Sequence, residues 1–570
     1  MNPTTIDVRS ARALDQFGSW KTSLVATDWI PWLIIGFAVV LRFILLDIKP
    51  PHFDEGINGW FVDTHITKGG FYKYDPTNYH GPLHFYLLFL SQTLFGRNLW
   101  ALRLPVVLGS LVCVWLTLKY EPLVGRFVSR MAALAMAVSP GFVFYGRYAI
   151  HEVWLVLFSM LFILGLLGLW RFGKPGYLWC AGMGVTGMIL TKETYIMHIG
   201  CAVIAAGVCY VSHLLNRVPD ARPARQTWDY LDLAMVVGVG IALIIVFYSG
   251  TFFHWDGLKG LYRTYAAWFA TGTEGRGHEK PWYYWLRLVS RYELPVLGGL
   301  VLCLFCQRFK EVSLRYLAIY GVGTLMAYSI VKYKSPWCII SFVWPFLFIF
   351  GAAAVIAPLR YPRQIYAALA VGLVAALAWA AAYAKWWNED YIWTFAFILG
   401  LAVLLVVLRD RFATYVMSGV VLCASLGSTI WLNYFRCTTD TEPYVYVQTY
   451  NDIFKLTRPV LTLAKQNPIF YQMKGHMIRA SAYPFPWILD DFPNVGYYEH
   501  QNIPTPIDAD FLLVQEDRIK EIEAKLQNSY FTAPLTIRPY QDTSRLYLDA
   551  TRFKGFFPGR QPELPGKGPG

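Results

Sequence analysis

The sequence predicts a polytopic α-helical membrane protein with about thirteen spanning helices and a small C-terminal α/β domain. Of the 570 residues, 56% are hydrophobic and only 15% are charged, whereas soluble proteins carry roughly 25% charged residues. Apolar runs of about 18 residues or more recur along most of the chain. After about residue 434 these runs stop, and short alternating segments begin.

The predicted spans alternate with loops of two kinds. The clearest spans lie at about 28–47, 98–118, 230–250 and 413–433. Every second loop is short and basic, as around Arg126, Arg217 and Arg360, and the positive-inside rule places such loops in the cytoplasm. We therefore expect a cell-membrane protein with its N-terminus in the cytoplasm and its C-terminal domain outside.

Charge and cysteine content exclude other classes of protein. The net charge of +13 does not indicate nucleic-acid binding, because the Lys and Arg residues lie in short loops where membrane topology explains them. The nine cysteines show no CxxC pair or zinc-type spacing, so we interpret them as small buried residues. The first 27 residues are polar, and no cleavable signal peptide is predicted.

Polar clusters recur at the predicted outer ends of the spans. They lie at 52–55, 79–84, 145–152, 191–194, 278–280 and 332–337. The segment 48–97 is too long and too amphipathic for a simple loop, which predicts interfacial helices. Ionisable groups at a membrane edge need a partner or a function. The sequence therefore predicts one polar site at the outer end of the bundle.

Asp54 and Glu55 are adjacent carboxylates where the first span meets water. Such a carboxylate could act as a general base, deprotonating an acceptor hydroxyl while a sugar is displaced from a phosphate. The alternative is an ordinary solvated acid pair at the start of a helix. Residue spacing alone leaves both interpretations open.

Cations accompany acids at two further helix ends, where Arg147 precedes Glu152 and Lys192 precedes Glu193. Arginine suits bidentate phosphate contact, and lysine acts as a point charge. Interfacial anchoring or mutual ion pairing is the alternative. Apolar sequence follows Lys192, and a cation at that depth indicates an anionic partner.

Two weaker candidates complete the polar set. Tyr79, His80 and His84 surround a Gly-Pro step; His80 could lie near an anion, but the residues alone favour a turn with His84 facing inward. Lys334 precedes a Ser-Pro-Trp segment and could instead belong to an interfacial Lys/Trp belt.

The region after residue 433 predicts a separate domain. Segments 444–447 and 510–514 have strand composition, and 452–465 and 517–527 have helical periodicity. This alternation predicts a spanning module over 1–433 and an α/β domain over 434–570.

An ordered set of motifs carries a family resemblance. The set comprises Asp54-Glu55, Tyr79-His80-Gly81-Pro82, Thr191-Lys192-Glu193-Thr194, Lys334-Ser335-Pro336-Trp337, Tyr483-Pro484-Phe485-Pro486-Trp487 and Asn494-Val495-Gly496-Tyr497-Tyr498. The chain resembles the GT-C glycosyltransferases, in particular the protein O-mannosyltransferase and aminoarabinose–lipid A transferase group. Within that superfamily it is similar to the prokaryotic family called flippase-activity-associated proteins.

The resemblance implies an inverting membrane glycosyltransferase. Its sugar donor would be a polyprenyl phosphate, and its acceptor a glycan, lipid or protein at the outer face. Asp54 would be the catalytic base with Glu55 in support. Lys192, then Arg147 and His80, would bind the donor phosphate.

The remaining substrate contacts would come from Glu152, Tyr79, His84, Glu193 and Lys334. The aminoarabinose transferases carry Lys-Pro-Pro-Leu where this chain has His80-Gly81-Pro82-Leu83, and a neutral histidine weakens a phosphate contact there. The group generally uses no metal, and the first outer loop has no Asp-x-Asp, so we expect no cofactor.

Two other functions are compatible with a membrane bundle. A flippase or transporter usually shows internal repeats and broken helices near the midplane, and the sequence shows neither. A non-catalytic scaffold whose outer domain binds a partner leaves the charges at the membrane edge unexplained.

Overall fold

The computed structural model describes residues 28–76, 80–216, 224–274, 278–356, 411–499 and 503–566. Tyr79 lies outside the described residues. So do the predicted spans between Arg363 and Lys385 and between Tyr391 and Arg409.

The described part of the bundle consists of helices joined by turns and loops. Its first helices are α1 (Ile30–Phe43), α2 (Phe53–Phe61), α3 (Leu83–Phe95), α4 (Leu99–Lys119), α5 (Glu121–Val124), α6 (Arg126–Val138), α7 (Pro140–Tyr145), α8 (Glu152–Phe172) and α9 (Pro175–Ile189). The later ones are α10 (Tyr195–Asn216), α11 (Tyr230–Tyr248), α12 (Asp256–Glu274), α13 (Tyr284–Tyr292), α14 (Leu294–Cys303), α15 (Val312–Ile330), α16 (Ile339–Ile356) and α17 (Arg411–Ile430).

Within the described ranges, six helical segments are long and apolar enough to cross a membrane. They are Leu99–Lys119, Glu152–Phe172, Tyr195–Ser212, Tyr230–Tyr248, Pro336–Ala353 and Arg411–Phe435. Their bounds agree with the predicted spans at 98–118, 230–250 and 413–433. The first helix is shorter than predicted, ending at Phe43. The count of about thirteen spans stays a prediction.

The segment 48–97 contains helices rather than a simple loop. Helix α2 continues into a π-helical turn over Val62–Thr67, and α3 begins at Leu83. Helix α2 is fastened to the bundle by Asn58, whose Nδ2 donates to the Ala149 carbonyl at 2.9 Å. The segment is helical as predicted, and the position of these helices at the membrane interface stays a prediction.

The C-terminal part is a three-layer α/β domain. Its helices are α18 (Phe454–Gln466), α19 (Phe485–Ile488) and α20 (Ile519–Lys525), and its strands are β1 (Gly475–Ile478), β2 (Val495–Tyr498), β3 (Phe511–Gln515), β4 (Tyr530–Leu535) and β5 (Ser544–Asp549). The sheet order is β2-β1-β3-β5-β4. Strand β1 pairs in parallel with β2 and β3, whereas β5 is antiparallel to β3 and β4.

Alternation along β3 explains the layers. Phe511 and Leu513 enter the apolar core that includes α18 residues, while Leu512 and Val514 enter the core that includes Ile522 of α20. Successive strand side chains point to opposite faces, so a strand covered on both faces is apolar throughout.

The predicted strand at 444–447 is wrong. These residues form turns that connect the bundle to the domain, because their apolar side chains pack on the bundle instead of in a sheet. The Tyr444 hydroxyl donates to Glu293 Oε1 at 3.1 Å, and the ring stacks on Tyr292 with centroids 4.1 Å apart.

Candidate active site

The separated polar clusters meet in one cavity at one end of the bundle. Its volume is about 220 Å³. The side chains that line it include Asp54, Asn58, His80, His151, Glu152, Lys192, Glu193, Thr194, Tyr328, Tyr333, Ser335, Trp337 and Cys338. These residues come from α2, from the starts of α8 and α10, and from the end of α15 with the segment that follows it.

The beginning of α2 presents Asp54 to this cavity. His52 caps the helix, because its Nδ1 accepts the Asp54 N–H at 3.0 Å while its Nε2 lies 3.0 Å from the Tyr446 carbonyl. Burial lowers the pKa of His52 to about 3, so the ring is neutral and its Nε2–H donates to that carbonyl. Asp54 follows in the first turn with its side chain 31% exposed.

Glu55 points away from the cavity into the bundle. Its carboxylate accepts two hydrogen bonds from Arg103, at 2.8 and 2.7 Å, and one each from the His52 and Ala149 N–H groups, both at 2.9 Å. Burial alone would raise its pKa, but the Arg103 pairing lowers the pKa of Glu55 to about 2. The geometry therefore makes Glu55 a structural anchor for α2 and not a partner of Asp54 in the cavity.

The Asp54 carboxyl has a different environment from its neighbour. Burial raises the pKa of Asp54 to about 6, and Glu152 adds to the rise, while Arg538 and His80 oppose it. A carboxylate with a pKa near the working pH is a stronger proton acceptor than an ordinary solvated aspartate. This carboxylate is thus suited to general-base chemistry.

Lys192 and Glu152 form a buried ion pair on the cavity wall. Lys192 Nζ donates to Glu152 Oε1, and the two side chains are 6% and 3% exposed. Lys192 lies in the turn between α9 and α10, and Glu152 is the first residue of α8. The pair places a cation and an acid beside the same space as Asp54.

His80 and Glu193 form a second pair beside the first, with Nδ1 and Oε2 3.1 Å apart. The His80 and Lys192 backbones pair as an antiparallel bridge, and the Gly81 N–H donates to the Thr191 carbonyl at 3.1 Å. Because a Cβ at Gly81 would collide with the Leu190–Thr191 backbone, the glycine permits this contact. His80 and Gly81 of the first motif and Thr191, Lys192 and Glu193 of the second therefore form one structural unit.

Three predicted site residues make their hydrogen bonds with other parts of the protein. His84 Nδ1 accepts from Trp154 Nε1 at 3.0 Å, and its Nε2 lies 3.3 Å from the Ala149 carbonyl, which makes it the satisfied inward-facing residue of the alternative interpretation. Arg147 donates to the Ile44 and Leu45 carbonyls at 2.8 and 2.5 Å.

Lys334 also lies outside the cavity lining. Its Nζ donates to the Lys280 carbonyl at 3.1 Å and to the Val331 carbonyl. These bonds fasten the loop after α12 to the loop after α15. This geometry does not support the predicted contacts of Lys334 and Arg147 with substrate, because both side chains donate to backbone carbonyls and neither lines the cavity.

The sequence analysis missed several residues of the site. The His151 ring contacts the rings of His80 and His84 in tilted arrangements, with centroids 4.5 and 4.2 Å apart, and Tyr328 lines the cavity from α15. Arg103 could have been identified as a residue with a buried partner, because it is a charged residue within a predicted span and such residues need a partner. No group of three or more His, Cys, Asp or Glu in the described ranges could hold a metal ion, and independence from metal stays a prediction.

Comparisons with known proteins support the resemblance. Residues 79–248, which include His80, Glu152 and Lys192, match the sequence model of the family described as dolichyl-phosphate-mannose-protein mannosyltransferase. No curated protein matches the chain.

Solved structures share the whole architecture. The crystal structure of ArnT from Cupriavidus metallidurans bound to undecaprenyl phosphate is similar with a TM-score of 0.59 at 15% identity, covering 92% of this chain and 98% of that one. The apo structure of the same protein gives a TM-score of 0.57 at 15% identity, covering 93% and 99%. The chain therefore has the fold of the GT-C membrane glycosyltransferases, as its sequence motifs predict.

Proposed function

We propose that this protein is a membrane glycosyltransferase that moves a sugar from a polyprenyl-phosphate donor to an acceptor hydroxyl, with Asp54 as the general base. The observation that carries the proposal is the shared cavity, which brings the Asp54 carboxylate and the Lys192 ammonium to one space. A base and a cation in one cavity are what displacement of a sugar from a phosphate requires. Undecaprenyl phosphate, bound in the ArnT structure of the same fold, exemplifies the donor's lipid class.

The proposed reaction needs one proton transfer and one displacement. Asp54 takes the acceptor hydroxyl proton as that oxygen attacks the anomeric carbon of the sugar. The bond from this carbon to the phosphate oxygen breaks, and the lipid phosphate leaves with the electron pair. Attack opposite to the leaving group inverts the anomeric configuration. Lys192 stabilises the charge that develops on the departing phosphate.

A second hollow adjoins the cavity. It has a volume of about 290 Å³ and is lined by Trp268, Phe269, Gly272, Thr273, Ile330, Val331 and Lys332. Trp268, Gly272 and Val331 also line the first cavity. Phe269 and Ile330 are 63% and 79% exposed, so the hollow opens between α12 and α15 on an apolar surface. We assign the prenyl chain to this groove and the phosphate to the Lys192 end.

The polar clusters and the α/β domain lie at the same end of the bundle. We therefore place the transfer at the extracytoplasmic face, with the N-terminus in the cytoplasm, because the short loops at the opposite end carry the Lys and Arg excess. The acceptor, whether glycan, lipid or protein, would reach Asp54 from that side.

The test uses the purified protein in lipid nanodiscs with a panel of polyprenyl-phosphate sugars, and it measures release of the lipid phosphate and transfer of the sugar. Asp54→Asn is expected to abolish transfer while the protein folds normally. Asp47→Asn is the matched control, since Asp47 is exposed and lies outside the cavity lining. Transfer by Asp54→Asn at the wild-type rate would exclude Asp54 as the base.

Donor binding tests the cation separately. Lys192→Ala is expected to weaken binding of polyprenyl phosphate, and Lys525→Ala is its control because Lys525 pairs with Glu521 at 2.9 Å in the α/β domain, outside the cavity lining. Lipid translocation in proteoliposomes without any sugar transfer would support a flippase instead. A protein that binds no prenyl phosphate would support a scaffold.

A further inference from the structure

The α/β domain packs directly on the outer face of the helix that carries Asp54. A Cβ added to Gly56 would lie 2.6 Å from the Pro484 Cβ, and one added to Gly59 would lie 2.5 Å from the Trp487 Cδ1. Contacts below 3 Å are too close for carbon atoms, so even a methyl group would displace one of the two surfaces. Two glycines of α2 thus permit a backbone-to-domain contact within two turns of the base.

Ion pairs fix the position of the domain around this contact. Lys68 Nζ lies 2.7 Å from Asp490 Oδ2, and Arg97 Nη2 lies 2.7 Å from Asp491 Oδ2. Both acids follow directly after α19 in the domain, and both cations flank the α2–α3 region. The domain is therefore held in register with α2 from two sides.

The loop between β4 and β5 brings Arg538 to the start of α2. The Arg538 Cζ lies 3.5 Å from the centroid of the Phe53 ring, and Phe53 immediately precedes Asp54. Arg538 Nη2 donates to Ser481 Oγ at 3.4 Å. The buried Nε has no hydrogen-bond partner within the described ranges, so the guanidinium retains an unused donor beside the site.

The charged and titratable groups that act on Asp54 come from every surrounding element. They are His52 and Glu55 on its own helix, Glu152 at the start of α8, His80 in the turn before α3, the phenols of Tyr148 and Tyr446, and Arg538 from the domain. Most of them are already paired or neutral. Glu55 is held by Arg103, and Glu152 by Lys192.

His80 pairs with Glu193, and His52 is neutral because burial lowers its pKa. Arg538 differs from these groups, because its contacts in the part of the chain that the structure describes are the Phe53 ring and the Ser481 hydroxyl, with no ion pair to a carboxylate within 4 Å. Its charge is therefore available to Asp54, with which it interacts electrostatically.

We propose that Arg538, in the β4–β5 loop of the α/β domain, is a positioning residue that holds the Asp54 carboxylate in its charged form, ready to accept a proton. This inference rests on the proposed function, because it assigns Arg538 a role through the base. It gives the domain a function in the reaction beyond packing on the bundle.

The test is the pH dependence of sugar transfer by the full-length protein in nanodiscs. Replacing the guanidinium in Arg538→Gln removes a cation, which raises the pKa of Asp54 and moves the acidic limb of the rate profile to higher pH. We expect a shift of about one unit, the low end for an opposite charge near a carboxylate. At a pH below the acidic limbs of both proteins, the variant is expected to be about tenfold slower than the wild type. At high pH the two rates are expected to differ little.

Two further variants separate charge from structure. Arg538→Lys keeps the cation and is expected to restore the wild-type limb. Arg545→Gln is the matched control, because Arg545 is an arginine of the same domain that pairs with Glu523 at 2.9 Å, and its profile is expected to coincide with that of the wild type. A uniform loss of rate in Arg538→Gln with an unmoved limb would overturn the proposal.

A readout without turnover distinguishes this proposal from the function on which it rests. Infrared titration follows the protonated-carboxyl band of Asp54, identified by its loss in Asp54→Asn. The band is expected to persist to a pH about one unit higher in Arg538→Gln. An unchanged titration overturns the role of Arg538 even if transfer is confirmed, whereas the absence of transfer in the wild type with a shifted titration overturns only the proposed function.

Discussion

Glu55→Gln is expected to destabilise the protein strongly, although Asp54→Asn next to it is not. Both Glu55 and Arg103 are 0% exposed, and the Glu55 carboxylate receives four hydrogen bonds from Arg103 and two backbone N–H groups. Glutamine keeps the volume but presents an NH₂ group to donors and leaves the Arg103 charge uncompensated. Breaking a buried pair from one side costs about 3–5 kcal/mol, a large part of a total stability of roughly 5–15 kcal/mol.

Unfolding monitored by tryptophan fluorescence in a fixed lipid–detergent mixture measures this loss. The double variant Glu55→Gln with Arg103→Leu removes the buried cation as well, so it is expected to be more stable than Glu55→Gln alone. Asp54→Asn is not expected to destabilise the protein, because burial raises the pKa of Asp54 and asparagine removes the charge that burial disfavours. A Glu55→Gln protein as stable as the wild type but inactive would refute the reasoning and give Glu55 a catalytic role.

Three further outcomes follow from the same geometry. Glu152→Gln is expected to move the acidic limb of the rate profile to lower pH, because Glu152 contributes to the raised pKa of Asp54; an unmoved limb in a folded variant would contradict this. Gly81→Ala is expected to cost about 1–3 kcal/mol in unfolding experiments, as overpacking does, since the added methyl meets the Leu190–Thr191 backbone; wild-type stability would show that the two motifs do not touch. The free energy of unfolding, followed by fluorescence, is expected to fall as the pH drops from about 4 toward 2, because Glu55 becomes protonated. A carboxyl group whose pKa is lowered on folding stabilises the protein only above its folded pKa. Glu55→Gln is expected to lack this pH-dependent loss of stability.

Much of the site could be predicted from the sequence because placing a charge in a membrane costs free energy, so each such residue needs a partner or a function. Asp54, Glu152 and Lys192 each stand at the edge of an apolar run, and the parity of the spans assigns them to one end. The structure brings these three side chains to one cavity. The spans themselves were predictable because a bilayer demands about 20 apolar residues for each crossing.

The roles within the Asp54-Glu55 pair could not be predicted, because they depend on the direction in which each side chain leaves the helix. Successive residues of an α-helix point about 100° apart, so one carboxylate faces the cavity and its neighbour faces Arg103. The placement of Arg147 could not be predicted for a related reason. Its hydrogen-bond acceptors are backbone carbonyls of Ile44 and Leu45, and no side-chain pattern reveals them.

The buried pair of Lys192 and Glu152 is compatible with phosphate binding, and it favours catalysis over tight donor binding. An isolated lysine in this environment would lose its charge, since burial disfavours the ammonium, so Glu152 keeps Lys192 cationic and in place before the donor arrives. The ammonium has three N–H donors, and the contact with Glu152 uses one. During transfer the phosphate changes from a diester with one negative charge to a monoester with up to two. Lys192 therefore interacts more strongly with the leaving phosphate than with the donor, and an interaction that strengthens along the reaction lowers the barrier instead of only tightening the ground state.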